Sequence, residues 1–103
     1  MLRRRRFADL TARQLDVFVR DQLDLLEACD EAELAYRRAE RDEAEELFGD
    51  YQDLVDPRTE LLADLRDNFK LTLDEETAEE YEGEFNRAVV KRLPRFALEI
   101  ENR

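Results

Sequence analysis

The chain of 103 residues contains no histidine, no serine and no tryptophan. Without histidine it lacks the commonest general base and the usual zinc or haem ligand; without serine it lacks every serine-nucleophile triad. Carboxylate di-metal sites in helical bundles use Glu-x-x-His, which this chain cannot supply. Cys29 is the single cysteine, so an intramolecular disulfide and a Cys–His pair are both impossible, and a reducing cytoplasm is the expected compartment. Gly49 and Gly83 stand alone, so no glycine-rich loop can cradle a phosphate. With only Pro57 and Pro94 beside them, material for tight turns is scarce, which disfavours many-stranded β architectures. No stretch approaches the ~20 apolar residues of a membrane span. Arg3–Arg6 has no apolar run behind it, unlike a secretory signal peptide.

What the chain has in quantity is charge. Charged residues make up 44% of it against an ordinary quarter, and the formal net charge is −11. Asp21–Asp56 carry fourteen acids against Arg37, Arg38 and Arg41, and Asp74–Glu84 carry seven acids and no base. The ends are basic, through Arg3–Arg6 and through Arg87, Lys91, Arg92, Arg95 and Arg103. An acidic body repels nucleic acid and anionic membrane over most of its surface, so nucleic acid is not an expected partner.

Two apolar heptad stripes organise the middle of the chain. The first reads Leu15, Phe18, Gln22, Leu25, Cys29, Ala32, Tyr36, Ala39; the second reads Ala44, Leu47, Tyr51, Leu54, Arg58, Leu61, Leu65, Asn68. Alternating 3- and 4-residue spacing marks a helix with one buried seam. Folding at Arg41–Asp42 brings Tyr36 to Leu47, Cys29 to Leu54 and Phe18 to Leu65. One uninterrupted helix has the same phase, but could not bury its face within a small chain, which favours the hairpin.

The first helix is expected from a Thr11/Gln14 capping box, with Leu10 and Leu15 as a staple, to about Ala39. The second runs from about Glu43 to Phe69, with Asp56-Pro57 as a kink or a break. Its companion line Phe48, Val55, Leu62, Phe69 broadens the apolar face. After Lys70–Leu73 and a second box at Thr72/Glu75, a third helix runs to Leu93 and ends at Pro94. In the tail, Phe96, Leu98 and Ile100 alternate as a strand would, and so do Phe69, Leu71 and Leu73. A docked extended arm or a last helical turn suits the tail better, because isolated two-stranded sheets are marginal. The fold class is therefore all-α: an antiparallel, coiled-coil-like hairpin plus a third helix, a three-helix bundle that dimerisation can complete. Its divisions are a basic arm (1–10), a helical bundle domain (11–93) and a tail (94–103).

Residues that can carry chemistry are few. The pairs Glu27/Glu31, Asp42/Glu46, Glu75/Glu79 and Glu76/Glu80 offer oxygen ligands to Mg²⁺ or Ca²⁺, but read first as solvated faces. Cys29 on the seam reads as a small apolar group, and Lys70 and Lys91 show no sign of desolvation. Gln22, Arg58 and Asn68 interrupt the stripes; Arg58 either bonds near Gln22 and Asp24 or snorkels to solvent. Tyr36-x-x-x-Glu40 is similar to the tyrosine–acid signal of the helical-hairpin substrates of type VII secretion. It lies before the turn rather than after the second helix, and their Trp-x-Gly turn is missing, so membership does not follow.

No catalytic, cofactor or metal residue is assigned, and no small-molecule ligand is expected. Three functional readings remain. The first is a non-catalytic protein-interaction or structural module that forms a homodimer, because the second helix presents a wider apolar face than one antiparallel partner covers. The second is an acidic regulator of a partner with a basic surface, and the third a carboxylate-dependent divalent-metal enzyme.

Overall fold

A computed structural model describes residues 6–103. Among these residues every regular element is helical: α1 (Ala8–Asp21), α2 (Leu23–Arg37), α3 (Arg41–Lys70), α4 (Glu75–Arg92), a 3-10 turn at Pro94–Phe96 and α5 (Ala97–Asn102). Scarce glycine and proline, with dense Ala, Leu, Glu and Arg, favour this outcome.

The chain reverses between α2 and α3, which pack along each other. The reversal occupies Arg38–Glu40, just before the expected Arg41–Asp42. Glu40 is extended (φ −72°, ψ 160°) and its carbonyl accepts the Glu43 N–H at 2.9 Å, so α3 starts at Arg41. Asp42 and Glu43 then occupy the first turn, where the helix dipole favours acids. The Tyr36 ring lies 5.2 Å from Phe48, within one residue of the expected register.

α1 and α2 nearly continue one another. Gln22 leaves helical geometry (φ −108°, ψ 13°), yet its N–H donates to the Phe18 carbonyl at 2.9 Å and its carbonyl accepts from Leu26 at 2.8 Å. α1 begins at Ala8, three residues before Thr11. The anchor is tertiary rather than a local cap: Phe7 is buried edge-on against Tyr81, and its N–H donates to Glu84 Oε1 at 3.0 Å. Thr11 is a buried helical residue whose hydroxyl donates to the Ala8 carbonyl.

Pro57 breaks nothing; α3 runs through it for 30 residues. The ring deprives the Asp53 carbonyl of its amide partner, but both residues are exposed and water can take its place. Val55, Thr59, Leu62, Ala63 and Arg66 hold the buried face on either side. The second capping box also differs. Asp74 caps α4 by accepting the Thr77 N–H at 3.5 Å, and the Thr77 side chain, with this backbone bond in second place, holds its carboxyl below the usual value; Thr72 donates back to the Phe69 carbonyl.

The tail is helical rather than strand-like. Pro94 opens a 3-10 turn, and α5 places Phe96 and Ile100, four residues apart, on one buried face. The helical period leaves Leu98 76% exposed. Residues 94–103 thereby close the core.

That core gathers at one end of an elongated molecule of 50 × 24 × 23 Å. α4 packs on α1, α3 and α5, with Tyr81, Phe85 and Val89 fully buried among Phe7, Leu15, Leu62 and Ile100. Through it runs Arg66, 1% exposed. It donates to Asp67 Oδ1 (2.8 Å), Asn86 Oδ1 (3.0 Å) and the Ile100 carbonyl (2.9 Å), joining α3, α4 and α5. At the other end α2 and the first half of α3 project as an arm: no residue from Asp30 to Leu54 is buried.

Two stability outcomes follow from this packing. Arg66→Ala is expected to lose about 3 kcal/mol or more, because it empties volume and orphans the Asn86 and Ile100 oxygens. A urea midpoint close to wild type would refute that role. Gly49→Ala is expected to gain about 0.5–1 kcal/mol, since nothing lies within 4 Å of an added Cβ. At Gly83 the added Cβ meets the Arg87 guanidinium at 3.4 Å, so the gain there is smaller.

Candidate functional site

Three surface features stand out around this framework. The first is a groove of about 430 Å³ between α1 and α3. It arises because α1 packs on α4 while α3 packs along α2, which leaves the facing sides of α1 and α3 apart. Leu10, Val17, Phe18, Leu61 and Leu65 line it, with Arg13 and Asp21 at its edges. Val17 is 41% and Leu61 42% exposed. The groove is therefore an open apolar strip with one charge of each sign on α1.

The second is a groove of about 490 Å³ between α1 and α4. Small side chains (Ala8, Thr11, Ala12, Ala88) make its walls, and Arg87, Lys91 and Arg92 edge it. Arg92 is engaged, pairing with Asp16 at 2.6 Å. Glu84 lies at its floor, 8% exposed; Oε1 holds the Phe7 N–H, and Oε2 has no hydrogen-bond partner among the described residues.

The third is the arm. Leu34, Tyr36 and Phe48 are exposed on it, and between Asp30 and Asp53 it carries ten acids against three arginines. Arg95 fixes it to the core end. Its guanidinium reaches Asp30 (2.8 Å), Glu33 (2.7 Å) and the Tyr51 hydroxyl (3.1 Å), and lies 5.7 Å from the Tyr51 ring centre. Burial works against the Arg95 charge, but the bonds to Glu33, Asp30 and Tyr51 outweigh it and raise its pKa above the ordinary arginine value.

The residues singled out from the sequence do not converge. Among the described residues no three His, Cys, Asp or Glu side chains come together as a metal site. Glu27, Glu31, Asp42, Glu46, Glu75, Glu76 and Glu79 are exposed, and Glu80 pairs with Arg6 at 3.6 Å. Arg3–Arg5 lie outside the described residues. Cys29 is fully buried and unbridged, and burial pushes its thiol up against the opposing pull of Arg95. Lys70 pairs with Glu82, while Lys91 edges the α1/α4 groove. Gln22 sits at the α1–α2 break and lines the apolar groove. Asn68 is exposed and off the seam. Arg58 is half-buried with an unpartnered Nε, making neither the bond to Gln22 or Asp24 nor a full escape to solvent.

No protein-family model, curated protein or solved structure matches this chain. Geometry alone carries the functional reading. The arrangement offers surfaces for binding: an apolar strip, a small-walled groove with basic edges and an acidic arm. Sequence patterning by itself assigns no such role to Arg66, Glu84 or Arg95. A signal for Arg66 was present, since it sits four residues after Leu62 and three before Phe69, on the apolar line of α3.

Tyr81 gives the core end a pH signature. Burial pushes its hydroxyl up to about 12, partly offset by its bond to Gln14 Oε1 at 2.8 Å. The unfolded chain ionises this group at its ordinary 10.0 and so releases the proton first. The contribution is complete below pH ~10 and is lost as pH rises through ~12. Urea midpoints measured across this window should fall in wild type and fall less steeply in Tyr81→Phe. Equal slopes would refute the assignment.

Proposed function

We propose that the protein is a non-catalytic helical interaction module that self-associates, and that the α1/α3 groove is its contact surface. The observation that carries this reading is the pair Val17 and Leu61, half-exposed over Phe18 and Leu65 in a continuous apolar strip. The buried sides of these helices are covered within the chain: α4 packs on α1, and α4 and α5 pack on α3. A second copy laid on the strip would bury what the chain's own helices leave open and complete a bundle. The buried, unbridged thiol of Cys29 is compatible with a cytoplasmic setting. Among the described residues no helix is long and apolar enough to cross a membrane.

A second reading rests on the arm. Its acid excess, with Leu34, Tyr36 and Phe48 exposed between the acids, suits a partner protein with a basic surface. Such binding would weaken steeply with salt, and more steeply than a contact centred on the apolar groove.

Sedimentation equilibrium tests the leading proposal. Wild type should pass from monomer to dimer as concentration rises, and Leu61→Glu should remain monomeric with its helical circular dichroism intact. A wild type that stays monomeric throughout would overturn the proposal.

A further inference from the structure

The groove also contains information about how a second copy would sit, and this inference rests on the self-association proposed above. On α1, Arg13 and Asp21 edge the strip at equal distances from Val17: four residues before it and four after. We propose that the protein forms a two-fold dimer in which α1 lies antiparallel to the partner's α1, crossing at Val17, with Arg13 paired to the partner's Asp21 on both sides of the axis.

The geometry is simple. An antiparallel two-fold centred on Val17 sets each residue of α1 opposite its mirror position, so position 13 faces position 21 and the reverse. Four residues of helix rise ~6 Å, so each ion pair flanks the apolar centre by little more than one turn. A parallel arrangement would set Arg13 against Arg13 and Asp21 against Asp21, and like charges at an interface select against it. A head-to-tail arrangement would leave a strip open at each end and grow without closing. Only the antiparallel two-fold satisfies both the apolar strip and its edge charges.

The charges are available. Among the described residues Arg13 makes no ion pair. Asp21 is engaged only by its neighbour Arg20, at 3.2 Å and largely exposed to water. An exposed pair of that kind contributes little and is readily exchanged for an intersubunit one. Leu61, exposed at the rim of the strip on α3, would lie beside the α1 crossing and add the second apolar layer of a four-helix contact.

Charge reversal, read by sedimentation equilibrium, is the decisive experiment. Arg13→Asp and Asp21→Arg should each weaken the dimer about tenfold or more, because each sets two like-charged pairs face to face. The double variant should recover to within about threefold of wild type, since it restores opposite charges in swapped positions. Both positions are exposed, and circular dichroism verifies folding. A second measurement is chemical: Val17→Cys should oxidise to a covalent dimer, because the axis brings the two thiols together, whereas Asp21→Cys should not. A dimer indifferent to both single reversals, yet abolished by Leu61→Glu, would overturn the antiparallel pairing and leave the groove contact standing. A wild type that never dimerises would overturn both.

Discussion

Arg66 is the group on which the rest of the core depends. A guanidinium removed from water is costly unless each donor finds an acceptor, and here the acceptors come from three helices. Asp67 supplies the countercharge from the same helix, Asn86 brings in α4, and the Ile100 carbonyl brings in α5. The cost of burying the charge thus becomes a condition on tertiary structure: α3, α4 and the tail must dock together. The aromatic cluster around Tyr81, within 6 Å of Phe7, Phe69 and Phe85, fills the space beside this node.

From that node follows the asymmetry of the molecule. α4 and α5, of 18 and 6 residues against the 30 of α3, reach only the end of the hairpin where Arg66 sits. α3 spans ~45 Å, so half of it extends beyond any third helix and forms the arm with α2. Arg95 is the bracket between the two halves, reaching from the tail to Asp30, Glu33 and Tyr51. α1, turned toward α4 by the Phe7–Glu84 anchor, leaves α3 partly bare. The apolar groove is a consequence of how the core end closes, and the acidic arm a consequence of where it stops.

Much of the backbone was legible in local patterning. The 3-4 spacing marks the helical faces of α2 and α3. Legibility failed where distant groups overrode local preference. Pro57 would stop an isolated helix, but packing of Val55, Thr59 and Leu62 carries α3 through it. Thr11 has the composition of a cap, yet Glu84, 77 residues from Phe7, sets the start of α1. Phe96, Leu98 and Ile100 alternate as a strand does, but only two of them can enter the core, and a helix selects the pair four apart. The candidate site was less legible than the fold. Leu61 looks like any other seam residue, and Val17 lies off the first stripe altogether, until it is known which helix covers them.

The sequence by itself determined that the protein is helical, that its apolar residues lie on long continuous faces, and that it lacks the side chains of common catalytic centres. These properties depend on residue type and short-range periodicity, which a single helix already expresses. Tertiary structure alone decided where α4 and the tail dock, that Arg66 rather than an apolar residue occupies the centre, and which part of each face stays open. Those outcomes depend on partners 20 to 80 residues apart, and no local window of sequence contains both members of such a pair.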